Sequence, residues 1–251
     1  MLHFPVLLEE SVDFLLNDLN GHYIDCTFGR GGHSKLILEK LTKDGFLTGI
    51  DKDPDAYEYA TKLKNNNFKI INDSFKNIEK YFEEESISGI LYDLGTCSTH
   101  LDQPERGFSF NKEGPLDMRF NNKTGIPLSD WLENASEEQI RDILYQYGDE
   151  KHAKLISNAI FRSKIKNKIT TTTQLSKIIK DIYPEKDKKI HPATKSFQAF
   201  RIFINNELEE ITRSLKAAEK LIKLGGFIVT IAFHSLEDNI IKNFFKPSLV
   251  S

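Results

Sequence analysis

Tyr23-Ile-Asp-Cys-Thr-Phe-Gly-Arg-Gly-Gly-His-Ser34, followed by Gly49-Ile-Asp-Lys-Asp-Pro-Asp-Ala56, is the stretch on which the fold turns. A short apolar run enters a glycine-rich turn, a helix opens near Ser34, and a second apolar run ends on an acid, Asp51. That order is the first half of a doubly wound α/β sheet, in which a helix N-terminus aims unpaired amides into the crevice beyond the strands. Glycines at 29, 31 and 32 permit positive φ and close approach of a ligand to the backbone. Asp51 is placed to accept the hydroxyls of a ribose. A purely structural glycine turn beside a surface acid stays open on this stretch alone.

Further apolar runs at 68–71, 87–93 and 227–233 join those at 22–26 and 46–50 to predict five strands, mostly separated by helical patterns. This is an open, mainly parallel sheet. A helix is predicted over 206–224, with Leu208, Ile211, Leu215, Ala218 and Leu221 on one face and Gly225-Gly226 ending it. Between Asp93 and that helix the chain shows helical periodicity, at 137–147, 150–160 and 172–182, and no convincing strand. Thr170-Thr-Thr-Thr-Gln174 offers an N-cap and Pro184 a stop. The expected organisation is a sheet domain of residues 1–110 and 206–251, interrupted by an α-helical insertion, 111–205, that holds the substrate.

At 251 residues, 39% hydrophobic and 28% charged, the chain has the composition of an ordinary globular protein. No apolar run approaches the twenty or so residues of a membrane helix, and the first residues lack the pattern of a secretory signal, so a cytoplasmic location is expected. Two cysteines, Cys26 and Cys97, are too few for a disulfide scaffold or a zinc site, and no metal is expected. The net charge is only −3, yet Lys151 to Lys195 carries twelve Lys or Arg against Asp181, Glu185 and Asp187. A polyanion-facing segment and a solvated helical face explain that asymmetry about equally well.

Two cofactor classes use the opening layout. A dinucleotide fingerprint places Gly or Ala in its third small slot, where this chain has Ser34. S-adenosylmethionine brings no pyrophosphate, and the acid before the turn, Asp25, suits a methionine ammonium better than a diphosphate. Asp93 ends the fourth strand, where open α/β sheets place ligands, and is the candidate catalytic group. Methyl transfer needs a nucleophile held in line with the sulfonium, and an acceptor bonded to the N–H of an amine would push electron density onto nitrogen. Phe75 follows the third strand, where its ring could stack on adenine or simply pack in the core. His100 and Ser98, in the loop after Asp93, are weaker candidates. Arg106-Gly-Phe108-Ser-Phe110 and Gly114-Pro-Leu-Asp117-Met-Arg119 combine glycine, aromatics and arginine as a pocket lip for a flipped base would. The Asp117–Arg119 pair could equally hold its own loop. Phe233-His-Ser-Leu-Glu-Asp238 brings His234, Glu237 and Asp238 to the crevice edge, and without a Gly-x-Ser-x-Gly elbow a hydrolase triad is not expected there.

Taken with His3-Phe-Pro-Val-Leu-Leu-Glu-Glu10, Ser196-Phe-Gln-Ala-Phe-Arg201 and Asn206-Glu-Leu, these segments resemble, in order from residue 3 to residue 238, one family. It is the bacterial 16S ribosomal RNA cytosine-N4 methyltransferase family, RsmH, formerly MraW. The resemblance implies a Rossmann-like S-adenosylmethionine-dependent methyltransferase sheet with an inserted helical substrate-binding domain, acting on a decoding-centre cytidine of the small ribosomal subunit. By motif match it places Gly31, Gly32, His33, Asp51, Phe75, Asp93 and His100 around the cofactor, and it suggests a homodimer. Substrate contacts are expected from Arg106, Phe108, Asp117, Arg119 and His234, with Lys164, Lys166, Lys168, Lys188 and Lys189 gripping phosphates. The chain departs from the family pattern at His100, usually Gln, at Cys97 within Asp93-Leu-Gly-Thr-Cys-Ser-Thr, and at Asn239, usually Arg. Relatives also continue past the position of Ser251, so an exposed edge strand is expected. A catalytically impaired rRNA-binding protein and a nicotinamide-dependent oxidoreductase are the alternative readings.

Overall fold

The computed structural model of the chain describes residues 5–183 and 191–246. In chain order the elements are α1 (Leu8–Leu15), β1 (His22–Asp25), α2 (Gly32–Lys40), β2 (Phe46–Ile50), α3 (Pro54–Thr61), β3 (Phe68–Ile71), β4 (Ile87–Asp93), α4 (Ser98–Asp102), α5 (Leu128–Asn134), α6 (Glu137–Gly148), α7 (Ala153–Lys166), α8 (Thr172–Lys180), α9 (Thr194–Asn205), α10 (Glu207–Leu221), β5 (Ile222–Ile231) and α11 (Ser235–Phe245). The chain divides into two compact units, residues 1–95 with 208–251, and residues 96–207. Sequence patterning put those divisions at 110/111 and 205/206, so the loop that follows Asp93 falls largely in the helical unit.

The sheet unit has strand order β3-β2-β1-β4-β5, every pair parallel. Strand order reverses between β1 and β4, whose carboxyl ends, Asp25 and Asp93, are therefore the ligand-binding edge of such a sheet. Residues 87–92 of β4 are buried throughout, as a central parallel strand covered on both faces requires. Alternation along the strands sorts the core into two layers. Ile24, Ile90 and Tyr92 pack with Ile211, Leu215, Ala218 and Leu221 of α10. Tyr23, Leu47 and Leu91 pack with Val12 and Leu15 of α1 and Ile37 of α2.

The last strand starts earlier than its apolar run. Helix α10 stops at Leu221, not 224, and β5 begins at once at Ile222. Pairing with β4 then slips between Ile87↔Ile222 and Gly89↔Phe227, leaving a bulge at residues 223–226 in which Leu224 is fully exposed. Both glycines are needed there: Gly225 has φ +79°, and a Cβ on Gly226 would lie 2.8 Å from the Ser88 carbonyl oxygen. The pair that reads as a helix stop serves a strand bulge instead.

The helical unit packs Ile140 and Leu144 of α6, Ile156 and Ile160 of α7, Leu175 and Ile179 of α8, and Phe197 and Phe200 of α9 into one core. Capping boxes at Ser136/Gln139 and Thr171/Gln174 start α6 and α8. Asn205, at the end of α9, holds the irregular segment before α5. Its Oδ1 accepts from Phe120 N at 2.7 Å, and its Nδ2 donates to the Met118 and Arg201 carbonyls at 2.7 and 2.9 Å. Asn205→Leu keeps the volume and strands the Phe120 amide and the Met118 carbonyl. The expected loss is about 3 kcal/mol, read from the urea midpoint.

Candidate active site

The site in the sheet unit is built on the turn after β1. Gly31, φ +71°, is the N-cap of α2 and supplies no side-chain cap, so the first amides of the helix keep their donors for another acceptor. The glycines serve packing as much as access. A Cβ on Gly31 would sit 2.8 Å from the Phe28 ring, and one on Gly32 would sit 2.2 Å from Pro5. Asp51 Oδ2 accepts from Gly29 N at 2.8 Å, and its Oδ1 accepts from Asp53 N at 2.9 Å. With about four lone-pair positions, a carboxylate so bonded can still accept hydroxyl groups.

Asp25 is 1% exposed and turned inward. Its Oδ2 accepts from Ser34 Oγ at 2.7 Å and its Oδ1 from Thr27 N at 3.1 Å. The third small slot of the fingerprint is thus a serine because it satisfies a buried carboxylate. The direct contact expected between Asp25 and a methionine ammonium gives way to a role in holding the turn. Burial raises the Asp25 carboxyl above its ordinary range, partly offset by the Ser34 bond and the charge of His33.

Asp93 ends β4, and its backbone N–H donates to Thr27 Oγ1 at 2.7 Å. Its Oδ2 lies 3.6 Å from His33 Nδ1. Asp93 Oδ1 and His33 Nε2 are both buried with no hydrogen-bond partner. Two orphaned polar atoms facing a glycine turn and an unspent helix N-terminus are what a polar ligand would satisfy. The Asp93 carboxyl is pushed up to about 6, by burial first and then by the charges of Asp25 and Glu237, against the pull of His33. Glu237 is one of the residues expected at the crevice edge. It is fully buried, accepts from Phe233 N at 2.9 Å through Oε2, and its Oε1 lies 3.1 Å from His234 Nε2. Its signal in the sequence was the Phe233-to-Asp238 motif after the fifth strand. His234 itself is the N-cap of α11, its Nδ1 accepting from Glu237 N. Phe75 packs edge-on against Tyr92, ring centroids 5.8 Å apart, at the margin of the sheet core.

In the helical unit, His100 is buried and stacked on Phe108, centroids 4.9 Å apart, with Phe120 at 5.1 Å. Burial pushes the Cys97 thiol up, but the hydrogen bond and charge of His100 outweigh it and hold the thiol below its ordinary range. Arg106 is 3% exposed and donates to the Arg119 and Phe120 carbonyls. Arg119 grips both Asp117 oxygens, at 2.7 and 2.6 Å, and the carbonyls of Thr124 and Gly125. These arginines, with Phe108 and Asp117, are engaged in holding their own loop. Lys164 donates to the carbonyls of Leu132, Glu133 and Ala135, closing the end of α5, and Lys168 pairs with Asp130 and Glu133. Lys166 is exposed at the end of α7, while Lys188 and Lys189 lie outside the described residues. Lys164 and Lys168 therefore both have partners within the helical unit.

The parallel doubly wound sheet, with a glycine turn after β1 and acids at the carboxyl ends of β2 and β4, is Rossmann-like and places a candidate ligand site at its switch point. The MraW methylase family model matches residues 1–250, and the chain belongs to that family. It is 45% identical over 250 residues to the ribosomal RNA small subunit methyltransferase H of Marinomonas sp., spanning 97% of this chain and 80% of that one. The protein of the same name from Buchnera aphidicola of Cinara cedri is 47% identical over 250 residues, covering 98% and 81%, and that of Acinetobacter baumannii 46% over 252 residues, covering 98% and 81%. The methyl donor of the family is S-adenosylmethionine, and the orphaned atoms of His33 and Asp93 together with the Asp51 carboxylate fit it. Among the described residues no helix is long and apolar enough to cross a membrane.

An acid whose folded pKa stands above its unfolded value costs stability once it ionises, so Asp93 lowers stability as pH rises through about 6. Asp93→Asn should therefore melt higher than wild type near neutral pH, by up to about 3 kcal/mol for a two-unit shift, with the gain vanishing below about pH 4. Thermal melts of both proteins across that range check the sign.

Proposed function

We propose that this chain methylates N4 of a cytidine in 16S ribosomal RNA, within the small ribosomal subunit and in the cytoplasm, with Asp93 as the catalytic group. The observation that carries this reading is the unpartnered, buried Asp93 Oδ1 at the carboxyl end of β4. When bound, S-adenosylmethionine supplies an electrophilic methyl group. Asp93 accepts a hydrogen bond from the exocyclic amine and takes its proton as nitrogen gains the methyl, and a carboxyl near about 6 is well matched to that task. Asp51 and the α2 amides orient the donor. The names of the relatives support small-subunit rRNA as the substrate. The helical unit supports its capture, and Lys166 and the lysines of residues 184–190 are the positions to test for phosphate contact.

Methyl transfer to purified small subunits, followed by mass spectrometry of the RNA, tests the reading. One cytidine should gain a single methyl group at N4. Asp51→Ala should weaken donor binding about tenfold or more, and Asp93→Asn should lower turnover at least about a hundredfold while binding the donor. Methylation of another base, or full turnover in Asp93→Asn, overturns the assignment. Binding of NAD in place of S-adenosylmethionine would favour an oxidoreductase.

A further inference from the structure

We propose that Glu210 of α10 is a positioning residue for the nucleoside half of the donor, holding the two loops that carry Asp51 and Phe75. The inference rests on the methyl-donor reading above, in which Asp51 accepts the ribose hydroxyls, and adds a buried acid to it. Glu210 is 4% exposed, and a carboxylate so placed has to be paired or lose its charge. Each of its oxygens meets a lysine from a different loop. Oε2 accepts from Lys52 Nζ at 2.6 Å, and Oε1 lies 3.3 Å from Lys76 Nζ. Lys52 directly follows Asp51 at the carboxyl end of β2. Lys76 directly follows Phe75 in the short helical turn Phe75–Lys80 after β3.

Helix α10 reaches the second loop by another route as well. Ser214, one turn on from Glu210 and on the same helix face, has its Oγ 2.7 Å from the Tyr92 hydroxyl, and the Tyr92 ring meets Phe75 edge-on. The loops are also tied to each other, since Asn72 Nδ2 donates to the Asp51 carbonyl at 2.9 Å. Asp51 is thus fixed at its carbonyl by Asn72, at its carboxylate by the amides of Gly29 and Asp53, and through the next residue by Glu210. A neutral side chain at 210 would leave two ammonium groups facing each other with no anion between them. Each then gains more from water than from the interior. Lys52, turning outward, would draw the Asp51 carboxylate off the position from which it accepts a ribose hydroxyl.

Isothermal titration calorimetry of the full chain with S-adenosylhomocysteine and with its 2′-deoxy analogue reads the placing of Asp51, because the two ligands differ only in one ribose hydroxyl. Wild type should prefer the hydroxylated ligand about tenfold, the worth of one hydrogen bond to a charged group. Glu210→Gln, which keeps the shape and removes the charge, should bring that preference down to about threefold or less and weaken S-adenosylhomocysteine itself. Lys52→Met, in which Glu210 keeps Lys76, should lower the preference in the same direction and gives the reading if Glu210→Gln fails to fold. Glu209→Gln, on the same helix, should leave the preference as in wild type. A general loosening of the sheet unit would weaken both ligands alike and keep their ratio. An undiminished preference in folded Glu210→Gln, or in Lys52→Met, therefore overturns the inference. Lack of any preference in the wild type would instead strike the ribose role of Asp51, and the inference with it.

Discussion

A carboxylate with 1% exposure has to be hydrogen-bonded or neutral, and at Asp25 that requirement organises the whole binding edge. Its oxygens take Ser34 from the first turn of α2 and the Thr27 amide from the turn itself. Thr27 then passes its hydroxyl oxygen to the backbone N–H of Asp93, and Gly29, two residues on, gives its amide to Asp51. One turn thus ties the carboxyl ends of β1, β2 and β4 together. The placing of Asp93 beside His33 thus rests in part on the buried bond between Asp25 and Ser34.

Much of the sheet was legible because parallel strands buried on both faces read as plain apolar runs, and four of the five begin where the runs begin. Residues 222–226 were not legible. Ile-Lys-Leu after an apolar helix face continues its period, and only three-dimensional crowding, the Ser88 carbonyl against Gly226, reveals a bulge. The glycines of the first turn were read as openings for a ligand; in Gly31 and Gly32 the constraint comes equally from Phe28 and Pro5, which sequence spacing cannot bring beside them.

For the site, position was legible and occupation was not. Asp51 and Asp93 could be placed from the strand ends alone. That Ser34 breaks a dinucleotide fingerprint was visible, but its reason, a buried acid nine residues upstream, depends on a side-chain direction. The basic stretch shows the same limit. Lys164 reaches back about thirty residues to close α5, and Lys168 finds two acids there, partners that a count of charge along the chain does not reveal. Arg106 and Arg119 likewise spend their donors on carbonyls and Asp117.

Asp93 shows why a stabilising arrangement is not the one retained. A carboxyl lifted to about 6 by burial and by two other acids is strained in its ionised form. The same strain sets its proton affinity near that of the medium, where a base both accepts and gives up a proton readily. An arginine beside Asp93 would remove the strain, but it would also hold the carboxyl fully ionised, repel a sulfonium and make a poor proton acceptor. His33 is a weaker counter-charge, 3.6 Å away with one ring nitrogen still unpaired, and it leaves Asp93 poised between the two states. On the proposed reading, what the sheet unit gives up in stability at this edge is what lets the Asp93 carboxyl accept a proton during transfer.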